Sequence, residues 1–296
     1  MHKFIKKVSL FFLFFTLINV AYLIIIKKVD WNFSKRIEAL NLGTPKYDVL
    51  VLGNSLAMDG IDANYLTKNG FLTYNTALGG SSLATNLIQL QDYLAMYEYK
   101  PKIIILGLGS YRRSLKSTGN INPIVDFTKT NKKKYEFKDI PLIKFKWLFK
   151  ENLKKIFSKP HRDAKLVNGQ LRFSKIVPDN TNIAKENEFP LDKYISSKVL
   201  KSIIQVCNAN KIKLVILEMP GFKKTRHEIQ HPCYIIDKEF NNGFLYDFNY
   251  NGLGESFNDK EDWIGKSHLN EKGARKFTKY ILDVLEQIST NVQQCT

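Results

Sequence analysis

Two kinds of segment alternate along most of the chain. Five short runs are apolar at most positions, as strands covered on both faces of a sheet are. They span residues 47–52, 72–76, 102–108, 213–218 and 244–248. Segments with the apolar spacing of a helix adjoin most of them, and the last of these, residues 270–287, carries an apolar stripe along one face. Alternating strands and helices predict a parallel sheet with right-handed crossovers.

The N-terminal part follows a different pattern. After a basic start, the chain runs from Val8 to Ile26 without a charge until Lys27 and Lys28 close the run. This is about the length that crosses the hydrocarbon core of a bilayer, and no small-residue cleavage site of a secretory signal follows it. The pattern predicts a membrane anchor over residues 1–28, a connector over 29–45, and a globular domain over 46–290 that faces away from the cytoplasm.

A long interval, residues 111–190, interrupts the alternation of strands and helices. From residue 140 to residue 157, leucine and aromatic residues interleave with lysines. This predicts a basic, amphipathic helical insertion. The sequence leaves three roles open for it: a lid over a site, a surface that lies on the membrane, and a structural cap.

Charge narrows the choice of partners. The net charge is +17, and residues 111–160 carry +10 of it, with 14 Lys or Arg against 4 Asp or Glu. Such a surface would suit nucleic acid, an anionic membrane or an acidic polymer, although a solvated helix face in a lysine-rich protein is the ordinary explanation. Because an outward-facing anchored protein would rarely meet nucleic acid, we expect no nucleic-acid partner.

Neither the cysteines nor the histidines have the spacing of a metal site. Cys207, Cys233 and Cys295 include no CxxC pair, so at most one disulfide can form, and Cys207 has the apolar helical context of a buried residue. His227 and His231 are four residues apart, but the stretch around them is predicted to be a loop. We therefore expect no metal and no other cofactor.

Residues with catalytic potential follow the predicted strands. The first strand ends at Gly53-Asn54-Ser55, and the second leads to Gly79-Gly80, where free backbone N–H groups could face an oxyanion. His268 comes just before the last helix, which Asn270 is placed to cap. Each is by itself an ordinary turn or helix cap. Together, at the carboxyl edge of a parallel sheet, they indicate nucleophilic catalysis by serine.

These residues, in this order, resemble the SGNH (GDSL-like) hydrolase superfamily. The resemblance covers about residues 46–110 and 212–287 and implies a flavodoxin-like, three-layer α/β/α fold with a parallel five-stranded sheet, here preceded by one transmembrane helix and carrying the basic helical insertion. It also implies an esterase, lipase or acyltransferase. Behind a single anchor, the motifs look like the cell-envelope branch associated with bacterial polysaccharide or teichoic acid acylation.

The resemblance assigns roles to three residues. Ser55 matches the nucleophile, and its own N–H is one oxyanion donor. Gly80 matches a second donor, and His268 matches the base that takes the serine proton and returns it to the leaving group. Asp59 and Asp62, which follow the serine, are predicted to be first-turn charges or helix caps.

Two positions depart from the family pattern. The third oxyanion donor is usually an asparagine two residues after a glycine, and the chain has Gly109 there, with Ser110 as a substitute donor. Three residues before the histidine, where the family has an aspartate, the chain has Gly265. Asp262, six residues before it, could orient the imidazole if the loop folds back, and Asp247 is a second candidate; a Ser–His dyad is a further alternative.

The sequence therefore predicts a membrane-anchored serine esterase or O-acyltransferase that acts on acyl groups, chiefly acetyl, of cell-envelope or exported carbohydrate. Hydrolysis and transfer share an acyl-enzyme, so the sequence does not separate them. The expected partners are envelope polysaccharide or another acylated glycan, the membrane through residues 8–26, and a membrane acyl-transfer protein. The alternative is a catalytically degenerate module that binds glycan or scaffolds an envelope acylation complex.

Overall fold

The computed structural model describes most of the chain: residues 1–30, 32–35, 46–109, 121–127, 140–149 except 147, 153–154, 164–174, 191–222, 233–249, 256–264 except 259, 268–290 and 295. The helices are α1 (His2–Val29), α2 (Ser55–Gly60), α3 (Ala63–Lys68), α4 (Leu83–Met96), α5 (Pro141–Lys144), α6 (Leu191–Ser196), α7 (Lys198–Ala209) and α8 (Glu271–Ser289), with a 3-10 turn at Pro123–Phe127. The strands are β1 (Val49–Gly53), β2 (Thr73–Asn75), β3 (Ile103–Leu108), β4 (Ala164–Val167), β5 (Gln170–Phe173), β6 (Lys213–Glu218), β7 (Cys233–Asp237), β8 (Asn242–Asp247), β9 (Trp263–Ile264) and β10 (His268–Leu269).

The central sheet has the strand order β2-β1-β3-β6-β8-β7. The first five strands are parallel, and their order is the 2-1-3-4-5 order of flavodoxin-like folds. The predicted α/β class and all five predicted strands are confirmed. The predicted strand number is wrong, because β7 adds a sixth strand antiparallel to β8. Most of its residues are only partly buried, as is usual for a strand at the edge of a sheet.

Helices cover both faces of this sheet. Successive residues of a strand point to opposite faces, so Val49 and Val51 pack with α2, α3 and α8, whereas Leu50 and Leu52 pack with α4 and α7. All five residues of β1 are buried. This two-sided burial explains why the strands are apolar at every position and gives the predicted three-layer arrangement.

The insertion is not helical throughout its described part. It contains the 3-10 turn and α5, but also the antiparallel hairpin β4–β5, which the sequence analysis did not predict. Asn168 and Gly169, both with positive φ, form the turn of this hairpin, a pair typical of tight two-residue turns. The Asn168 carbonyl accepts the N–H of Asn75, which attaches the hairpin to the end of β2. The insertion that was predicted to be helical therefore contains strands as well as helix.

Helix α1 is long and apolar enough to cross a membrane, a property that a signal sequence near an N-terminus shares. Its side chains are mostly exposed, but Asn19, Tyr22 and Ile26 are buried. The Tyr22 hydroxyl donates to the Phe145 carbonyl over 2.7 Å, and the Asn19 Oδ1 accepts the N–H of Leu142 over 3.1 Å. The C-terminal half of α1 is thus packed against the insertion.

The cysteines form one bridge. Cys233 on β7 is joined to Cys295, and Cys207 is a free, buried thiol. Within the described part of the chain, no group of three His, Cys, Asp or Glu side chains could hold a metal ion. His227 and His231 lie outside that part.

Candidate active site

The candidate nucleophile lies at the turn between β1 and α2. Gly53 has φ +140°, and a Cβ there would overlap both the backbone of Gly107 on β3 and the side chain of Ala57. Glycine therefore allows α2 to begin close to the sheet. The Asn54 side chain caps α2 by accepting the N–H of Leu56 over 2.9 Å. Ser55 is the first residue of α2 and is partly exposed at the carboxyl edge of the sheet.

A carboxylate on the same helix binds the candidate base. The Asp59 Oδ2 lies 2.6 Å from the His268 Nδ1. Ser55 and Asp59 are four residues apart, so they share one face of α2, and β10, which carries His268, packs against this helix. The aspartate is 5% exposed and the histidine side chain 31% exposed. The structure therefore brings an acid and a histidine to the helix that begins with the candidate nucleophile.

Burial disfavours the ionised form of the Asp59 carboxyl. Loss of solvent raises the pKa of Asp59, while the hydrogen bond to His268 and the positive charges of His268 and Lys35 oppose that rise. When Asp59 is ionised it can only accept, so the His268 Nδ1 donates the hydrogen bond. In the neutral imidazole, the Nε2 then carries the lone pair that a general base requires.

Ser55 and His268 are not hydrogen-bonded to each other. Among the contacts of the described residues, none joins the Ser55 Oγ to a ring nitrogen of His268. Catalytic hydrogen bonds are often long or poorly aligned in a site without substrate. The structure therefore supplies an acid–base pair that contacts the helix of Ser55, without a hydrogen bond from the histidine to the serine.

The structure does not place Asp262 on the histidine. Its Oδ2 accepts the Asn258 N–H over 2.7 Å and the Lys276 Nζ over 2.6 Å, and its carbonyl accepts the Asn270 N–H. Asp262 therefore stabilises the turn that precedes β9 and binds Lys276 of α8. In the structure the carboxylate that contacts His268 is that of Asp59 and not that of Asp262, so we propose Asp59 in place of Asp262 as the orienting acid.

The second candidate, Asp247, serves its own loop. It is fully buried at the end of β8, and its Oδ1 accepts the Asn249 N–H over 2.8 Å. It pairs in register with Glu218, at the opposite side of β3 from β1. Among the described residues, the carboxylate that contacts the His268 ring is that of Asp59 and not that of Asp247.

The sequence carried a signal for Asp59 that we interpreted as a helix charge. An aspartate four residues after a serine shares its helix face, but this spacing is too common to be specific by itself. The other aspartate, Asp62, is a cap as predicted, since its Oδ1 accepts the Tyr65 N–H. Asp62 is also buried between Arg172 and Arg275, at 2.7 and 2.6 Å.

Residues 76–82, the loop between β2 and α4, lie beside the turn that carries Ser55. We call them the donor loop, because they contain Gly80, the candidate oxyanion donor. The Leu78 N–H of this loop donates to the carbonyl of Gly53, two residues before Ser55. Gly80 is exposed with φ +72°, and a Cβ built on it would meet nothing within 4 Å. The space over the Gly80 backbone is therefore open at the edge where Ser55 lies. Ser110, the candidate third donor, and Gly265 lie outside the described residues.

Neither a protein-family model nor a curated protein matches the chain. Among solved structures, it is similar to a candidate acylhydrolase from Bacteroides fragilis, with 10% sequence identity and a TM-score of 0.40 over 88% of this chain and 98% of that one. It is also similar to AlinE4, an SGNH-hydrolase family esterase, with 13% identity and a TM-score of 0.32 over 83% of this chain and 98% of that one. The likeness is distant, so the candidate site rests on the contacts within this chain.

Proposed function

We propose that this chain is a membrane-anchored SGNH-type serine esterase or O-acyltransferase that acts on acyl groups, chiefly acetyl, of cell-envelope or exported carbohydrate. The observation that carries the proposal is the 2.6 Å contact between Asp59 and His268, made against the helix that begins with Ser55. A buried carboxylate on an imidazole next to an exposed serine turn is the arrangement that activates a hydroxyl.

The reaction follows from these groups. The His268 Nε2 takes the Ser55 proton as the Oγ attacks the ester carbonyl, and the Asp59 carboxylate stabilises the imidazolium that forms. The backbone N–H groups of Ser55 and Gly80 would donate hydrogen bonds to the negatively charged carbonyl oxygen. His268 then donates the proton to the oxygen of the leaving alcohol. The alcohol departs, and the acyl group remains on the Ser55 Oγ. Water or a sugar hydroxyl, activated by the same histidine, attacks this acyl-enzyme and regenerates the serine.

Two features support an anchored domain outside the cytoplasm. Helix α1 meets the length and apolarity of a membrane span. The Cys233–Cys295 bridge is of a kind that persists in oxidising compartments and is rare in the cytosol. We propose a single-pass protein in which α1 is the anchor and the α/β domain works at the cell envelope.

The partners follow from this placement. An acyl-enzyme that transfers its group needs an acyl donor, and a protein held at the membrane can receive one from a membrane acyl-transfer partner. The acceptor we propose is envelope polysaccharide or another acylated glycan. The +10 charge of residues 111–160 would favour an anionic polymer or lipid surface.

One observation favours a second candidate function, a non-catalytic module that binds glycan or scaffolds an acylation complex. The Ser55 Oγ and the His268 ring are not hydrogen-bonded in the described structure. If this gap persists in solution, the serine lacks its base and the fold would serve binding alone.

A labelling experiment separates the two functions. The full-length protein in detergent would be incubated with 4-nitrophenyl acetate, and intact-protein and peptide mass spectra would be recorded. The enzyme proposal expects acetyl on Ser55, loss of the label in Ser55→Ala, and slower acylation in His268→Ala. Absence of both label and turnover in the parent would support the binding module. Adding an oligosaccharide acceptor and comparing free acetate with acetylated sugar would separate hydrolysis from transfer.

A further inference from the structure

The segment that joins α1 to the globular domain contacts the donor loop. Residues 32–35 are helical, and Phe33 and Lys35 are 1% exposed. Phe33 belongs to one apolar cluster with Ile26 of α1 and with Leu78, which comes just before the two glycines of the donor loop. A tether to a membrane requires no such burial, so these contacts indicate an additional role for the segment.

Asn32 binds both backbone groups of one loop residue. Its Oδ1 accepts the Gly79 N–H over 2.7 Å, and its Nδ2 donates to the Gly79 carbonyl over 3.2 Å. A Cβ on Gly79 would lie 3.1 Å from both of these side-chain atoms, so glycine allows this close approach. Asn122, from the insertion, donates to the same carbonyl over 3.3 Å. Because the Gly79 C=O and the Gly80 N–H belong to one planar peptide unit, the bonds that hold the carbonyl also orient the Gly80 N–H.

Lys35 lies beneath the same loop. Its Nζ donates to the Ala77 carbonyl over 2.6 Å and to the Asn75 Oδ1 over 3.3 Å. The Asn75 Nδ2 in turn donates to the carbonyl of Ala57 in α2 over 2.9 Å. The lysine thus connects the donor loop to the helix that carries Ser55 and Asp59. Its positive charge also favours the ionised form of the Asp59 carboxyl.

We infer that Asn32 and Lys35 are positioning residues of the candidate active site, whereas Ser34 between them takes no part in it. Asn32 holds Gly79 so that the Gly80 N–H faces the reacting carbonyl, and Lys35 fixes the loop against α2. This inference rests on the proposed function for its catalytic consequence, while the loop contacts themselves do not. A protein that begins at residue 46 would lack both residues and would be inactive even if Ser55 is the nucleophile.

The test compares four single variants of the full-length protein in detergent: Asn32→Ala, Lys35→Met, Lys35→Arg and Ser34→Ala. Ser34 is the matched control, because it lies in the same segment but its Oγ donates back to the Lys27 carbonyl of α1. Hydrogen–deuterium exchange of the peptide that spans residues 74–82 reports on the loop, and hydrolysis of 4-nitrophenyl acetate reports on catalysis.

We expect Asn32→Ala to raise the exchange of the loop peptide and to lower kcat about 10²-fold with little change in KM, since a misplaced donor affects the transition state more than ester binding. Lys35→Met should do the same, and Lys35→Arg should restore part of kcat by keeping the charge. Ser34→Ala should match the parent in both measurements.

The outcomes separate this inference from the proposed function. Unchanged exchange in Asn32→Ala and Lys35→Met would overturn the positioning role, whatever the activity. Faster exchange with an unchanged kcat would overturn its catalytic part. If the exchange rises but the parent itself neither turns over ester nor carries acetyl on Ser55, the segment positions the loop and the proposed function fails.

Discussion

The assignment of the acid to Asp59 leads to a sharp prediction. The perturbation is Asp59→Asn, which keeps the shape and removes the charge, and Asp262→Asn is the matched control. At an effective dielectric constant near 20, opposite charges about 4 Å apart attract by about 4 kcal/mol. That is the stabilisation that an Asp59 carboxylate, with its Oδ2 2.6 Å from Nδ1, would give the His268 imidazolium. Its loss corresponds to about a 10³-fold lower kcat.

The assay is steady-state hydrolysis of 4-nitrophenyl acetate by the full-length protein. Asp59→Asn should lose about 10³-fold in kcat, whereas Asp262→Asn should keep most of its activity and lose about 1–3 kcal/mol of stability, because its carboxylate satisfies a backbone N–H and a lysine. The reverse result, an active Asp59→Asn and an inactive Asp262→Asn, would refute our assignment of the acid.

The stability of Asp59→Asn relative to that of the parent should depend on pH. Burial raises the pKa of Asp59, so the folded state disfavours its ionised form. The contribution of this carboxyl to stability is therefore full below its unfolded pKa and falls as the pH rises through its higher folded pKa. Asp59→Asn removes that loss, so the unfolding free energy of the variant, relative to that of the parent, should rise as the pH increases from about 4, near the unfolded pKa, through the higher folded pKa. Chemical denaturation at several pH values measures this difference, and a variant that becomes less stable relative to the parent as the pH rises would contradict the prediction.

Three further predictions concern the scaffold. Gly53→Ala should destabilise the protein by about 2 kcal/mol or more, because a Cβ there would overlap the backbone of the neighbouring strand. Gly70 is the control: it also has a positive φ, but a Cβ on it would meet no atom within 4 Å, so Gly70→Ala should cost about 1 kcal/mol. Urea titrations measure both values. Burial raises the pKa of Cys207 to about 12, so iodoacetamide at pH 8 should label it only after unfolding, and labelling of the native protein would contradict its burial. Replacing Cys233 and Cys295 by serine should lower stability by about 4 kcal/mol, because the bridge closes a loop of 62 residues and so reduces the entropy of the unfolded chain. An unfolding temperature that does not change when a reductant is added would argue against the bridge.

The edges and caps of the site follow from local sequence. A two-sided strand must be apolar at every position, so the end of β1 is visible at Gly53-Asn54-Ser55. Asn270 caps α8 by accepting the Gly273 N–H, as its place before an apolar stripe predicted. These features depend on residues within a few positions of each other, and periodicity and capping chemistry reveal them.

By itself, therefore, the sequence determined the parallel α/β class, the end of the first strand two residues before Ser55, and the placement of His268 before the last helix and of the glycine pair after the second strand. It did not determine the acid, because Asp262 lies six residues from the histidine along the chain but binds elsewhere, whereas Asp59 is 209 residues away and binds it. It also gave no sign that Asn32 contacts the donor loop. Both contacts arise when packing of the hydrophobic layers sets β10 and the connector against α2 and the loop after β2. Such long-range contacts leave no periodic trace in the sequence, so only the tertiary structure decided them.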